Sequence, residues 1–103
     1  MNVHIVQEKE RLAFSNNAII YNDVDLLLTW LQKISIFTTD QGPVFDDVAL
    51  AFYFNEMILM LPSEHHSYEK IYDAISDSLV LDYENVIKAM SCVENAEFTI
   101  WTK

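Results

Sequence analysis

The sequence predicts a single α+β domain, with an antiparallel or mixed sheet of about four to five strands and three helices. Three observations point there. A chain of 103 residues has the size of one domain. Its 51% apolar content with one Gly and two Pro is that of a chain folded throughout, far from disordered composition. Turn chemistry interrupts it in few places, at "SNN" (15–17), "TTDQGP" (38–43), "NE" (55–56) and "PSEHH" (62–66), leaving β-branched and amphipathic segments between.

The segments Val3 to Val6 and Ala18 to Tyr21 are short, β-branched and flanked by polar residues, as strands are. Asn22 or Asp23 then offers a cap for a helix over 23–37. Val24, Leu27, Leu28, Leu31 and Ile34 recur there at three- and four-residue spacing, which makes one apolar stripe. Leu26, Trp30 and Phe37 make a second stripe beside it.

The run "FDDVALAFYFNEMILMLPSEHH" (45–66) has no informative period, so a buried helix and a hairpin both fit. Residue types favour the hairpin. Val48, Leu50, Phe52 and Phe54 fall on one face, Ala49, Ala51 and Tyr53 on the other, and Pro62 ends the second strand. Asn55-Glu56 is the turn, although Glu is poorly suited to a primed two-residue turn. A helix capped by Ser67 follows, with Tyr68, Ile71, Tyr72, Ile75 and Leu79 inward and Glu69, Asp73 and Asp77 on the opposite face. A third helix from Asp82 places Tyr83, Val86, Ile87, Met90 and Val93 inward and pairs Glu84 with Lys88. "EFTIW", Glu97 to Trp101, alternates as a last strand.

Sixteen acids against six Lys and Arg give a net charge of -10. Such a surface repels phosphate backbones and anionic lipid, so direct nucleic-acid or membrane binding is disfavoured and a basic protein partner is favoured. Residues 23–78 hold ten of the acids against Lys33 and Lys70. The oily run of 14 residues, 48–61, contains Asn55 and Glu56 and falls short of the roughly 18 residues a spanning helix needs. The N-terminus "MNVHIVQEKERLAF" lacks the pattern of a secretory signal. With Cys92 as the lone cysteine, an intrachain disulfide is excluded, and a cytoplasmic location is expected.

Motifs for catalysis are weak. His65 and His66 are adjacent, so their side chains diverge, and no HExxH spacing accompanies them; with Glu64 and Glu69 they read as solvated residues. Asp46-Asp47 precedes an apolar segment, where acids commonly cap or end an element. A single glycine, Gly42, builds no phosphate cradle. Cys92 reads as a packing residue. No enzyme activity, cofactor or metal is expected.

"FDDVALAFYFNEMILMLPSE", the following "SYEKIYDAISDSLVLDYENVIKAM", the small size and the acidity resemble the small immunity proteins of bacterial contact-dependent growth-inhibition and related toxin systems. The resemblance implies an inhibitor that binds one cognate toxin, often a basic nuclease domain acting on RNA, by steric and electrostatic occlusion. The candidate partner-binding residues are Asp46, Asp47, Glu64, Glu69, Asp73 and Asp77, with Tyr68 or Trp30 as aromatic anchors, on a monomer or homodimer. Two other readings stand beside it. One is an oligomeric or scaffold module associating through Leu26, Trp30 and Phe37; the other is a small enzyme with a His/acid site.

Overall fold

Two tight reversals shape the start of the chain. The computed structural model describes residues 2–15, 17–38, 48–92 and 94–103. It begins with strands β1 (Asn2–Ile5), β2 (Leu12–Ser15), β3 (Ala18–Tyr21) and β4 (Val24–Leu27). Strands β2, β3 and β4 form an antiparallel sheet in that order. Ser15 pairs with Ala18 and Tyr21 with Val24, so both loops hold only two residues. Asn22 and Asp23 sit at φ 50° and 70°, and Asn17 at 66°. A two-residue hairpin needs such left-handed positions, which Asn and Asp tolerate better than other side chains.

That turn removes the helix expected over 23–37. Asn22 and Asp23 reverse the chain rather than cap a helix, and β4 is followed by a single 3-10 turn, Leu28–Trp30, and strand β5 (Lys33–Thr38). "KISIFT" alternates in residue type, with Ile34, Ile36 and Thr38 buried on one face and the small Ser35 buried on the other. This period of two coexists with the three- and four-residue spacing of the leucines, and the β-branched residues decide for the strand. The expected stripe of Leu26, Trp30 and Phe37 is dispersed: Leu26 packs on the core, Trp30 lies in the 3-10 turn, and Phe37 lies on β5.

The hairpin expected over 48–61 forms as β6 (Val48–Tyr53) and β7 (Met57–Pro62). Neither Asn55 nor Glu56 takes positive φ, so its turn is not of the primed type. With β8 (Ala96–Thr102), these strands make a five-stranded sheet in the order β1-β7-β6-β5-β8. β1 lies parallel to β7, and the other pairs are antiparallel.

Register aligns Ile34 with Phe52 and Leu59, and Ile36 with Leu50 and Leu61. All six are at most 1% exposed. The opposite face carries fully buried Ser35 and Ala51 at its centre, half-buried Phe37, Ala49, Tyr53, Ile58 and Met60 around them, and exposed Val3 and Ile5. A bulge in β8, where Ile34 faces Trp101 and Ser35 faces Thr99, turns the extra residue, Ile100, fully into the core. The Asn85 side-chain amide donates to the Thr99 carbonyl at 2.7 Å, and the Asp82 N–H donates to that of Ile100 at 2.7 Å.

The described residues form two α-helices rather than three: α1 (Tyr68–Ser78) and α2 (Tyr83–Ser91). α1 buries the expected face, with Ile71 and Ile75 enclosed and Tyr68, Tyr72 and Leu79 packed against the core. Ser67 precedes it without a side-chain cap bond. Asp82 does cap α2, accepting from the Asn85 N–H at 3.2 Å. The α2 face is rotated from expectation: Val86 and Ala89 are buried, while Tyr83, Ile87 and Met90 are exposed. Val93 lies outside the described residues. α2 lies against β8 and β5, where the small Ala89 permits a closer approach than the bulkier side chains.

The Asn22-Asp23 turn yields a stability prediction. Asp23→Gly relieves the left-handed backbone and should change unfolding free energy by less than about 1 kcal/mol, because glycine's greater chain entropy opposes the gain. Asp23→Val, β-branched at the same φ, should lower it by about 1 to 2 kcal/mol. Urea titration of both variants measures how much the left-handed position at Asp23 contributes to the stability of the β3–β4 hairpin.

Candidate partner-binding surface

The acid row on α1 is the clearest surface feature among the expected site residues. Glu69, Asp73 and Asp77 recur every four residues, all are exposed, and none joins an ion pair within 4 Å among the described residues. The ion pairs that do form are Lys33 with Glu97 at 3.3 Å and Glu84 with Lys88 at 3.4 Å. Like charges at this spacing repel by about 0.2 to 0.5 kcal/mol per pair. Glu69 in the first turn complements the helix dipole, but Asp77 lies in the last turn, which holds no basic residue. An acid there faces the negative end of the dipole and is unfavourable by about 0.3 to 1 kcal/mol.

The other expected residues are distributed unevenly. Glu64 is exposed in the loop before α1. Tyr68 opens the helix but packs against the core, and burial, followed by its neighbour Tyr72, pushes its hydroxyl up to about 12. It is therefore more a packing residue than a free anchor. Trp30, 48% exposed, shares a shallow depression of about 340 Å³ with Phe54, Asn55 and Glu56. That depression is at the β6–β7 turn, whereas Glu64 lies beyond the other end of β7, a six-residue strand spanning about 20 Å. Asp46 and Asp47 lie outside the described residues. The structure thus groups Glu69, Asp73 and Asp77 on one helix and sets Trp30 apart.

His65 is not the solvated residue its sequence context suggests. It is 5% exposed. Its Nδ1 accepts from the Ser67 N–H at 3.1 Å, so its proton is on Nε2, which lies 3.0 Å from the Gln7 carbonyl and 3.2 Å from that of Glu10. One imidazole therefore joins the β1–β2 loop to the start of α1, with the exposed His66 ring stacked on it at 4.3 Å. Both ring nitrogens already have protein partners, which disfavours metal ligation by His65. No group of three or more His, Cys, Asp or Glu among the described residues is arranged to hold a metal ion.

Two carboxylate networks had no signal in the sequence. Glu10 accepts from the Gln7 N–H at 2.8 Å, the Tyr21 hydroxyl at 2.8 Å and the Asn22 amide at 2.6 Å. These bonds, the backbone one foremost, hold its carboxyl below the usual range. On the open face of the large sheet, Glu97 accepts from the Tyr53 hydroxyl at 2.7 Å and pairs with Lys33, whose ammonium lies 4.3 Å from the Tyr53 ring centre. Burial raises the Glu97 carboxyl, but hydrogen bonds from Tyr53, Ser35 and Lys33 together outweigh it, leaving the group below its ordinary value. Burial first, and then Glu97, pushes the Tyr53 hydroxyl up to about 12. Partners 44 and 64 residues away from Glu97 in sequence exist only once the sheet has formed.

No helix among the described residues is long and apolar enough to cross a membrane. Comparison with protein-family models, curated proteins and solved structures finds no match to this chain.

His65→Ala strands two carbonyls and an N–H, and should lower unfolding free energy by about 2 kcal/mol or more, whereas His66→Ala should stay within about 0.5 kcal/mol. Calorimetry of the two variants compares adjacent histidines of opposite burial. Glu97 has a depressed folded pKa, so its contribution is fully present above the ordinary carboxylate range and is lost as pH falls through the folded value. Glu97→Gln should therefore flatten the acid limb of stability against pH in urea titrations between neutral pH and about pH 2; an unchanged limb would show the network to be energetically silent.

Proposed function

We propose that this protein binds a basic protein partner and blocks it, as an immunity protein neutralises a cognate toxin domain, a nuclease being the class of toxin that the charge fits best. The observation that carries this reading is the α1 acid row. Three exposed carboxylates stand without ion pairs among the described residues, one of them at the unfavourable end of its helix. Local stability does not account for such an arrangement. It gains a purpose when a basic groove approaches, because the carboxylates then take the place of substrate phosphates.

A nuclease groove must be basic to hold nucleic acid, and a chain of net charge -10 is attracted to it at long range. Occlusion requires only complementary shape and charge, without a catalytic group. The helical stripe of Leu26, Trp30 and Phe37 on which a self-associating scaffold was expected to rest does not form, since those residues lie on three different elements.

Charge reversal of Glu69, Asp73 and Asp77 together should weaken partner binding at least tenfold and reduce its salt dependence, as measured by titration calorimetry against a basic nuclease domain that the unaltered chain binds. Asp77→Asn alone should weaken binding while raising unfolding free energy by about 0.3 to 1 kcal/mol. Affinity unchanged by the triple reversal at low salt would remove α1 from the interface.

A further inference from the structure

The α2 face left outside the core is the largest apolar feature on the described surface of either helix. Tyr83, Ile87 and Met90 are 50%, 66% and 62% exposed, and Val80, just before the helix, is 92% exposed. Tyr83, Ile87 and Met90, spaced four and three residues apart, align as one stripe on the helix, and Val80 lies in the non-helical link before it. A scattered exposed apolar residue needs no explanation, but a contiguous set on one helix face marks an interaction site. Beside Val80 opens a groove of about 560 Å³ between the start of α2 and β8, lined also by Asp82, Asn85 and Trp101.

The acid row and the stripe are joined by a short link. Asp77 ends the row and exposed Val80 lies three residues later, between the helices, so their Cα atoms are at most about 11 Å apart. A nine-residue helix is only about 14 Å long, too short by itself for the roughly 800 Å² per partner of a stable interface. Row and stripe together supply an apolar centre with a charged border, which is how protein interfaces are built.

Charge selects the occupant. A second copy would bring another net -10, with its own acid row, against this one. A basic protein with an exposed apolar ridge is attracted by the row and buries the stripe.

We propose that the exposed face of α2, with the groove beside it, is the apolar half of a docking surface whose acidic half is the α1 row, and that its occupant is a basic protein presenting an apolar ridge. This rests on the basic-partner reading above and adds where the partner's apolar surface sits. The probe is a synthetic 18-residue amphipathic helix of lysines and leucines, titrated into the isotopically labelled full chain and followed by NMR. Amide shifts should concentrate over residues 73–91. Ile87→Ser with Met90→Ser, and separately Val80→Lys, should weaken binding at least tenfold. Val3→Ser with Ile5→Ser, the exposed pair on β1, should leave it within twofold. If neutralising Glu69, Asp73 and Asp77 abolishes binding while the α2 variants do nothing, the docking surface is overturned and the basic-partner reading stands. If a glutamate-leucine helix binds equally well, the basic occupant is overturned along with that reading. If the chain dimerises with concentration and Ile87→Ser with Met90→Ser prevents it, a second copy occupies the stripe and the proposal fails.

Discussion

The fold depends on two rows of side chains crossing the large sheet, Ile34 with Phe52 and Leu59, and Ile36 with Leu50 and Leu61. All six are excluded from water and face one side. Burial of such residues contributes about 1.5 to 3 kcal/mol each, and because strand side chains alternate, the other side of the sheet is left comparatively open. The small sheet and both helices must therefore share one face. Crowding on that face explains why α2 inserts only Val86 and Ala89 while its bulkier apolar residues remain outside.

Polar groups fix what apolar packing leaves loose. The His65 imidazole bridges two loops far apart in sequence through three backbone groups, and Glu10 ties the β1–β2 loop to the β3–β4 turn. Both networks lie around β2, so the small sheet is held by directional bonds as well as by its few apolar contacts. On α1 the acids have no ion-pair partner among the described residues. The molecule thus contains carboxylates bonded within the fold and exposed ones without an ion pair among the described residues.

Several elements were legible from local pattern. The β6–β7 hairpin followed from residue types and from Pro62, and α1 from a single helical stripe with its acids opposite. The segment 23–37 was misread because leucines at helical spacing overlie a strand alternation that begins at Lys33, and because Asn-Asp suits both a cap and a primed turn. Periodicity alone does not separate those alternatives; the pairing of Tyr21 with Val24 does. Likewise α2 was recognisable as a helix, but its buried side was not. Tyr83, Ile87 and Met90 look like core residues in sequence, and their exposure is decided by which neighbours already fill the space. The acids of α1 were legible as a row, and their lack of partners was not.

The start of α2 has a second role at the rim of the large sheet. Asn85 and the Asp82 backbone occupy two carbonyls of β8, whereas β1, at the other rim, exposes all four of its residues. Open-ended stacking of copies across this sheet would need a free strand at both rims, one to offer and one to receive. With two carbonyls of the β8 rim already engaged by its own chain, that rim offers fewer free groups to a second copy than it otherwise would, which disfavours growth along this sheet.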